Sequence, residues 1–333
     1  LKLATYVPGY TRSLQRIERS AAAGRELDRL LAGRARVLPE SQLRDFGPAP
    51  DFQDVGRWLN SEPLTLAQLR GKVVLIDFWT YSCINCLRTL PYLKSWDERY
   101  RAKGLVIIGV HSPEFAFEHS LGNVRAAVRR LGVRYPVALD NDFGTWNAYH
   151  NQYWPADYLI DRNGRIRDVH FGEGAYAETE QKIRRLLGRS LPPALREPDR
   201  TPTELRTPES YLGYLRIGNY RGSPIRPDTS ATYRFPPGLE RDAYAYAGTW
   251  TVENERILAG RAARLRLHFH ARSVHLVLSG HGVVGVKLNG RTLRDVRITG
   301  DRLYTLVTQK RARDGLLELR FTPGLSAYAF TFG

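Results

Sequence analysis

Apolar residues along this chain change their spacing twice. Between residues 48 and 189 they fall into short continuous runs separated by helical stripes: VVLIDFW, CLRTLPYLKSWDERYRAKG, LVIIGVH, NVRAAVRRLG, PVALD and FGTWNAYH follow one another. ADYLID, RIRDVHFG and ETEQKIRRLLG close that segment, with Asn163-Gly164 between the first two. Continuous apolar runs bounded by turn residues predict strands buried on both faces. Asn-Gly between two β-rich runs predicts a hairpin. Strand and helix alternate throughout, so 48–189 is expected to be an α/β domain, a mixed sheet flanked by helices. Residues 190–208, SLPPALREPDRTPTELRTP, hold five prolines and few apolar residues, which predicts a stiff, exposed linker. From 209 to 333 the period becomes two: LRLHFHARSVHLVLSG, VVGVKLNGRTLRDVRI, LYTLVTQK and LLELRFTP predict an antiparallel β-sandwich or jelly roll. Residues 1–47 keep only a partial helical stripe, through Leu14, Ile17, Leu27, Leu30 and Leu31, and predict a helical extension or connector.

Composition narrows the partners. With 333 residues and 42% hydrophobic content the chain can fill two cores. Lys and Arg number 50 against 34 acidic residues, a formal charge of +16, which favours anionic surfaces. The arginines are scattered, and Arg125, Arg129, Arg130, Arg184 and Arg185 stand at helix-face spacing, where a solvated face explains them. No helix-turn-helix, zinc-finger or RNA-recognition pattern accompanies the charge, so no nucleic-acid partner is expected. No apolar run approaches the ~18 residues needed to cross a bilayer. The chain has no methionine and begins LKLATYVPGY, so it reads as a fragment or processed product with an unseen segment before it.

Chemistry concentrates at residues 77–91, DFWTYSCINCLRTLP, which contain both cysteines, Cys83 and Cys86. They follow a β-rich run and open a helix, so Cys83 is expected where free backbone amides converge and favour an anion. That makes Cys83 the attacking thiolate, with Cys86 one turn inward to resolve the mixed disulfide. A structural zinc needs four ligands and the pair supplies two. A staple around so short a loop adds only about 2 kcal/mol. Asp77, six positions before Cys83, is placed by strand alternation beneath the second cysteine, where it could take the Cys86 proton. Pro91 is expected to interrupt the helix ladder and kink it. Pro155, in YWPADYLID before a strand, could present the Trp154 backbone to the sulfurs if its peptide bond is cis.

The run GKVVLIDFWTYSCINC, the spacing from Cys86 to Pro91 and the late Trp154-Pro155 resemble the thioredoxin-fold family, in its extracytoplasmic TlpA and ResA-like branch. The resemblance implies Cys83 as nucleophile, Cys86 as resolving cysteine, Asp77 as buried acid and Pro155 as cis-proline, with Trp79 and Trp154 shaping the site. ResA-like proteins place a glutamate three residues after the second cysteine; here that position is Thr89, and Glu114 in GVHSPEF is the candidate replacement. WTYSCINC, GVHSPEFAFE, ALDNDF, YWPADYLID, FGEGAY, TPESYLGYLRIGNY and YAFTFG together are similar to the DipZ proteins. In those proteins a CcdA-like membrane portion precedes a thioredoxin-like domain and a β-sandwich likened to carbohydrate-binding modules. The resemblance implies the extracytoplasmic tail of a membrane protein, with electrons arriving from the CcdA-like portion and leaving to disulfide-bearing proteins outside the cytoplasm, in cytochrome c biogenesis or disulfide reduction. The expected redox group is the Cys83-Cys86 disulfide itself, with no further cofactor and no metal.

Two other readings stay open. Thr80-Tyr81-Ser82-Cys83 fits the T-x-x-C part of the peroxiredoxin signature, although Ile76 stands where that signature has proline. Alternatively the C-terminal domain binds a glycan or a partner and the cysteines are an inactive disulfide. Tyr211, Tyr214, Tyr220, Tyr233, Phe235, Tyr244, Tyr246 and Trp250 are the aromatics such a ligand could stack on, but a sandwich core needs aromatics too. His268, His270 and His275 fall on or near the polar face of one strand, where solvation explains them better than a metal.

Overall fold

The computed structural model describes residues 43–188, 191–194, 197–204 and 206–333. The extension expected over 1–47 lies outside the described residues up to position 42. The chain divides into two compact units between Thr201 and Pro202, a point inside the proline-rich stretch.

The first unit is built on a six-stranded sheet. Its elements run β1 (Arg57–Leu59), β2 (Val73–Trp79), α1 (Ile84–Tyr100), β3 (Leu105–His111), α2 (Leu121–Leu131), β4 (Val137–Leu139), α3 (Gly144–Ala148), β5 (Ala156–Ile160), β6 (Ile166–Phe171) and α4 (Tyr176–Leu187). The strand order is β1-β4-β3-β2-β5-β6. β2, β3 and β4 are parallel, while β5, β6 and β1 pair antiparallel to their neighbours. β2 lies in the middle of the sheet, and every residue of VVLIDFW is buried, because helices cover both of its faces. Val73, Leu75 and Trp79 join a core with Cys86, Leu90, Leu93 and Trp96 of α1 and Ile183 of α4. Val74, Ile76 and Phe78 point the other way, into a core with Trp146 and Tyr149.

Two local features follow from residue choice. Gly109 of β3 is the register partner of Asp77, and a Cβ there would lie 2.7 Å from Trp79 Nε1 and 3.2 Å from Tyr135 Cε2. The space beside Asp77 is filled by those rings, which glycine alone permits. Gly164 takes φ +72° in the turn between β5 and β6, where Asp161 Oδ1 accepts from the Asn163 amide. Pro91 is accommodated inside α1, which continues through it to Tyr100. Proline lies on the exposed side of α1, and the opposite side buries Leu90, Leu93, Trp96 and Tyr100 against the sheet. That packing outweighs the roughly 3 kcal/mol of a lost helical bond. The short strand β1, at the sheet edge beside β4, had no sequence signal.

The second unit is all β: β7 (Ser210–Tyr211), β8 (Ser230–Tyr233), β9 (Tyr244–Val252), β10 (Ile257–Ala259), β11 (Arg264–Ser279), β12 (His281–Leu288), β13 (Arg291–Thr292), β14 (Val296–Thr299), β15 (Arg302–Phe321) and β16 (Ser326–Phe332). β11 pairs its first residues with β9 and its last with β16, and β10 joins β9 to β16, so these strands close a ring. Register shifts near Ala271 and Val274 bend β11 as that closure requires. One core fills the unit, with Tyr233, Tyr244, Tyr246 and Trp250 buried in it. On the other side of β11, His268 Nδ1 lies 2.9 Å from the Leu239 carbonyl and His270 Nδ1 lies 2.8 Å from Asp314 Oδ1. Among the described residues no histidine, cysteine or acidic trio is grouped to hold a metal ion. Among the described residues no helix is long and apolar enough to cross a membrane.

Candidate active site

The site forms where β2 ends and α1 begins. Thr80, Tyr81 and Ser82 are all buried, so the connection is held from every side. Cys83 has extended backbone, φ −77° and ψ 121°, and caps α1: its Sγ accepts the Cys86 amide at 3.3 Å. The cap group is therefore a sulfur, in the position where oxygen side chains normally satisfy the first amides of a helix. Cys83 is half-buried and Cys86 is buried, and both thiols are free. Burial pushes the Cys86 thiol well above its ordinary range, helped by neighbouring Cys83 and Asp77. The spacing thus separates the two sulfurs by environment, one reachable and one dry.

The Trp154-Pro155 bond is cis, and the Trp154 carbonyl lies 4.0 Å from Cys83 Sγ. Trp154 is itself held: its Nε1 donates to the Ser112 carbonyl at 3.0 Å and its ring packs on Trp146, centroids 4.3 Å apart. Asp140 anchors both supports, accepting the Ser112 hydroxyl at 3.0 Å and the amides of Thr145 and Trp146 at 2.9 Å. Burial raises the Asp140 carboxyl to about 6 against those donors. Trp79 is buried at the end of β2, edge-on to His111 at 5.5 Å. Burial lowers His111 to about 3, so its ring is neutral.

Below the sulfurs, Asp77 is 1% exposed, and neither of its oxygens meets a donor from the protein. Burial raises it well above the usual carboxylate range, and Asp157, its register partner on β5, raises it further. Asp77 in turn contributes to the upward shift of Cys86. The structure therefore brings Asp77, Cys83, Cys86, Trp154 and Pro155 together at one end of β2.

Two family models match the chain: the AhpC/TSA family over residues 47–169 and the thioredoxin-like C-terminal domain over residues 207–333. Protein DipZ of Mycobacterium tuberculosis is 40% identical over 305 residues, 88% of this chain and 44% of that protein. The thioredoxin-like protein YneN of Bacillus subtilis is 30% identical over 43% of this chain and 81% of its own length. The thiol-disulfide oxidoreductase YkuV of the same organism is 29% identical over 42% of this chain and 94% of its own. The chain belongs to the thioredoxin-like proteins, and over most of its length it is similar to DipZ. It spans less than half the length of the DipZ relatives it matches.

A buried acid behind the cysteine loop is Glu118, four residues beyond the candidate Glu114. The Glu114 side chain is half-buried, whereas Glu118 is wholly buried and receives the Ser82 hydroxyl at 2.6 Å and the Ser82 amide at 3.3 Å. Its second oxygen accepts the amides of Glu114 at 2.7 Å and Phe115 at 3.1 Å. One carboxyl group thus ties the residue before Cys83 to the segment after β3. Burial raises it to about 7, with the Ser82 hydrogen bond pulling back. Thr89, at the position where ResA-like proteins carry the glutamate, turns its hydroxyl to the Asn85 carbonyl at 3.0 Å.

Replacing Glu118 by alanine leaves three amides and a hydroxyl without their acceptor. The expected cost is about 2–4 kcal/mol, since each stranded donor loses part of its solvation. Urea unfolding reads that loss, and faster alkylation of Cys83 reads a loosened loop; unchanged values in both would remove Glu118 from the site. Sequence reasoning missed Glu118, Asp157 and Asp140. Glu118 lies four residues from Glu114 in HSPEFAFEH, and nothing in the spacing says which acid turns inward. Asp157 did carry a signal, because strand alternation from Leu159 places it on the inward face.

Proposed function

We propose that this chain is a thiol–disulfide oxidoreductase acting as a reductase, with Cys83 as nucleophile and Cys86 as resolving thiol. The single observation that carries the reading is the contrast at the start of α1: a half-exposed sulfur receiving an amide N–H, three residues from a buried thiol. Helix geometry keeps the pair close enough to bond without large backbone motion. The Cys83 thiolate attacks a partner disulfide, forms a mixed disulfide and expels one partner thiolate, which takes a proton from water. Cys86 loses its proton, attacks Cys83 Sγ and expels the second partner sulfur. Two electrons pass from the enzyme dithiol to the partner disulfide, and the pair ends as its own disulfide. The Trp154 carbonyl beside Cys83 suits an extended partner segment, whose backbone amide it can accept.

The DipZ match supports placing this chemistry outside the cytoplasm, with electrons supplied by a CcdA-like membrane portion and delivered to disulfide-bearing proteins, including those of cytochrome c biogenesis. The AhpC/TSA match supports a peroxidase reading as the rival. Thr80 weighs against it: its hydroxyl is wholly buried and 3.4 Å from His111 Nε2, so it supports the loop from beneath.

The test is to mix the reduced chain with a disulfide peptide in one vessel and hydrogen peroxide in another. The expected result is stoichiometric reduction of the peptide, one disulfide per dithiol, with peroxide consumed far more slowly. Peroxide consumption that outruns peptide reduction would replace this function with the peroxidase one. The electron source is read in cells carrying the whole protein, by trapping its thiols: a pair that stays reduced without the membrane portion would discard the CcdA-like donor.

A further inference from the structure

Asp77 is one member of a transverse row. The sheet register sets Asp157 of β5 directly opposite Asp77 of β2, and His170 of β6 directly opposite Asp157. Directly opposed residues share a face and bring their Cβ atoms to about 5 Å. That face is the one packed by α1 and α4, since Leu75, Trp79 and Leu159 lie on it with Leu90, Trp96 and Ile183. Three polar side chains therefore cross an apolar layer from the buried sulfur to β6, the edge strand. Asp77 is 1% and Asp157 6% exposed. Both Asp77 oxygens, Asp157 Oδ1 and His170 Nε2 are buried without a protein partner. Four idle polar atoms in one row are costly, and a shared or mobile proton is what pairs them.

We propose that Asp157 is a positioning residue for the resolving step, receiving the proton that Asp77 gives up as Asp77 takes one from Cys86. This rests on the thiol–disulfide function proposed above. Two carboxyls set directly opposite each other in a dry site do not both ionise, so the pair holds one proton and one negative charge. The Cys86 proton moves to the near oxygen of Asp77 while the Asp77 proton crosses to Asp157, leaving a thiolate beside a neutral acid pair. Cys86 then bonds to Cys83, the expelled partner thiolate leaves, and the pair returns its extra proton towards His170 and the sheet edge. The electrical work matters here: no second charge is created in the apolar layer at any point, because the thiolate's charge replaces the carboxylate's.

Burial and the nearby Asp168 raise Asp157 to about 7, and its contact with Asp77 pulls back, which places the acceptor in the range where it can turn over. The titratable groups facing the pair are Cys86 from α1 with Cys83 at its cap, Tyr135 ahead of β4, and Asp168 and His170 from β6. Beyond them on α4 stand Lys182, 2.7 Å from Asp168, and Glu178.

The experiment uses the reduced full chain and a chromogenic aromatic disulfide, which releases one coloured thiolate when Cys83 attacks and a second when Cys86 resolves. In the unmodified protein the slow release rises with pH through about 7, as Asp157 gains its charge. Asp157→Asn should leave the first release within about twofold and slow the second at least ~10-fold, removing the rise near pH 7. Asp77→Asn should do the same, and the double variant no more than either, because the two act as one unit. Equal slowing of both releases, or a second release with unchanged rate and pH profile, overturns the proposal. Should Asp157→Asn fail to fold, carboxyl carbon NMR of the unmodified protein decides: Asp77 and Asp157 are expected to titrate together in two shared steps, and separate ordinary titrations near pH 4 overturn it. A chain that shows neither release has lost the oxidoreductase function itself, which is a different failure.

Discussion

Cys83→Ser is expected to lower disulfide reduction by a factor of at least about 10³, because a serine hydroxyl at neutral pH offers almost no anion to attack sulfur. The fold should survive, since a serine oxygen can accept the Cys86 amide as well as the sulfur does. Cys86→Ala is expected to behave differently. The donor to Cys83 is the backbone amide of residue 86, so alanine keeps it, and the first attack should run at close to the normal rate. The reaction then stops at the mixed disulfide, because nothing buried behind Cys83 can displace the partner. Quantifying released thiol gives one equivalent for Cys86→Ala, two for the unmodified chain and none for Cys83→Ser. Two equivalents from Cys86→Ala, or normal rates from Cys83→Ser, would mean that the sulfur roles are assigned the wrong way round or that the reductant lies elsewhere. The captured mixed disulfide also carries the partner's identity with it.

How far the sequence reaches is visible in particular residues. The strands and helices of the first unit follow from apolar runs and turn residues, because a central strand covered on both sides needs an unbroken apolar run such as VVLIDFW. The closed ring in the second unit does not follow: alternation shows that β11 is a strand, but its change of partner from β9 to β16 depends on bulges with no sequence mark. Pro91 shows only a local cost in the sequence, and the packing of α1 against the sheet carries the helix through it to Tyr100. In the site, Cys83, Cys86 and Asp77 were legible because one strand, one turn and one helix carry them all. Trp154 and Pro155 needed family resemblance, since they reach the sulfurs across 71 residues of chain. Glu118 stays hidden for a related reason: an acid's burial outside a strand is set by which elements pack over it, and the sequence prints only the acid.

The second large effect concerns stability. Asp77→Asn is expected to stabilise the first unit at pH 8 and to change it little at pH 4. In the folded chain Asp157 ionises near 7 and Asp77 well above the ordinary range, both chiefly because burial penalises their charge; in the unfolded chain both ionise near 3.9. Below pH 4 folded and unfolded chains hold the same protons, so the pair's contribution is fully present there. As pH rises the unfolded chain releases protons that the folded chain keeps, and stability falls until the folded carboxyls ionise too. For Asp157 the gap of about 3 units corresponds to about 4 kcal/mol at 1.36 kcal/mol each. Replacing Asp77 by asparagine removes the Asp77 ionisation, so the part of the loss that Asp77 itself carries is recovered at pH 8, while burial still penalises the Asp157 charge. The comparison belongs in the disulfide form, where neither sulfur titrates, with amide exchange of β2 and β5 reporting the first unit alone. A variant less stable than the parent at pH 8, or a difference independent of pH, would show that the carboxyl is ionised and well solvated in the folded chain. A gain in stability together with a slowed resolving step is the expected signature: a dry acid costs the fold free energy and lies where the buried thiol must lose its proton.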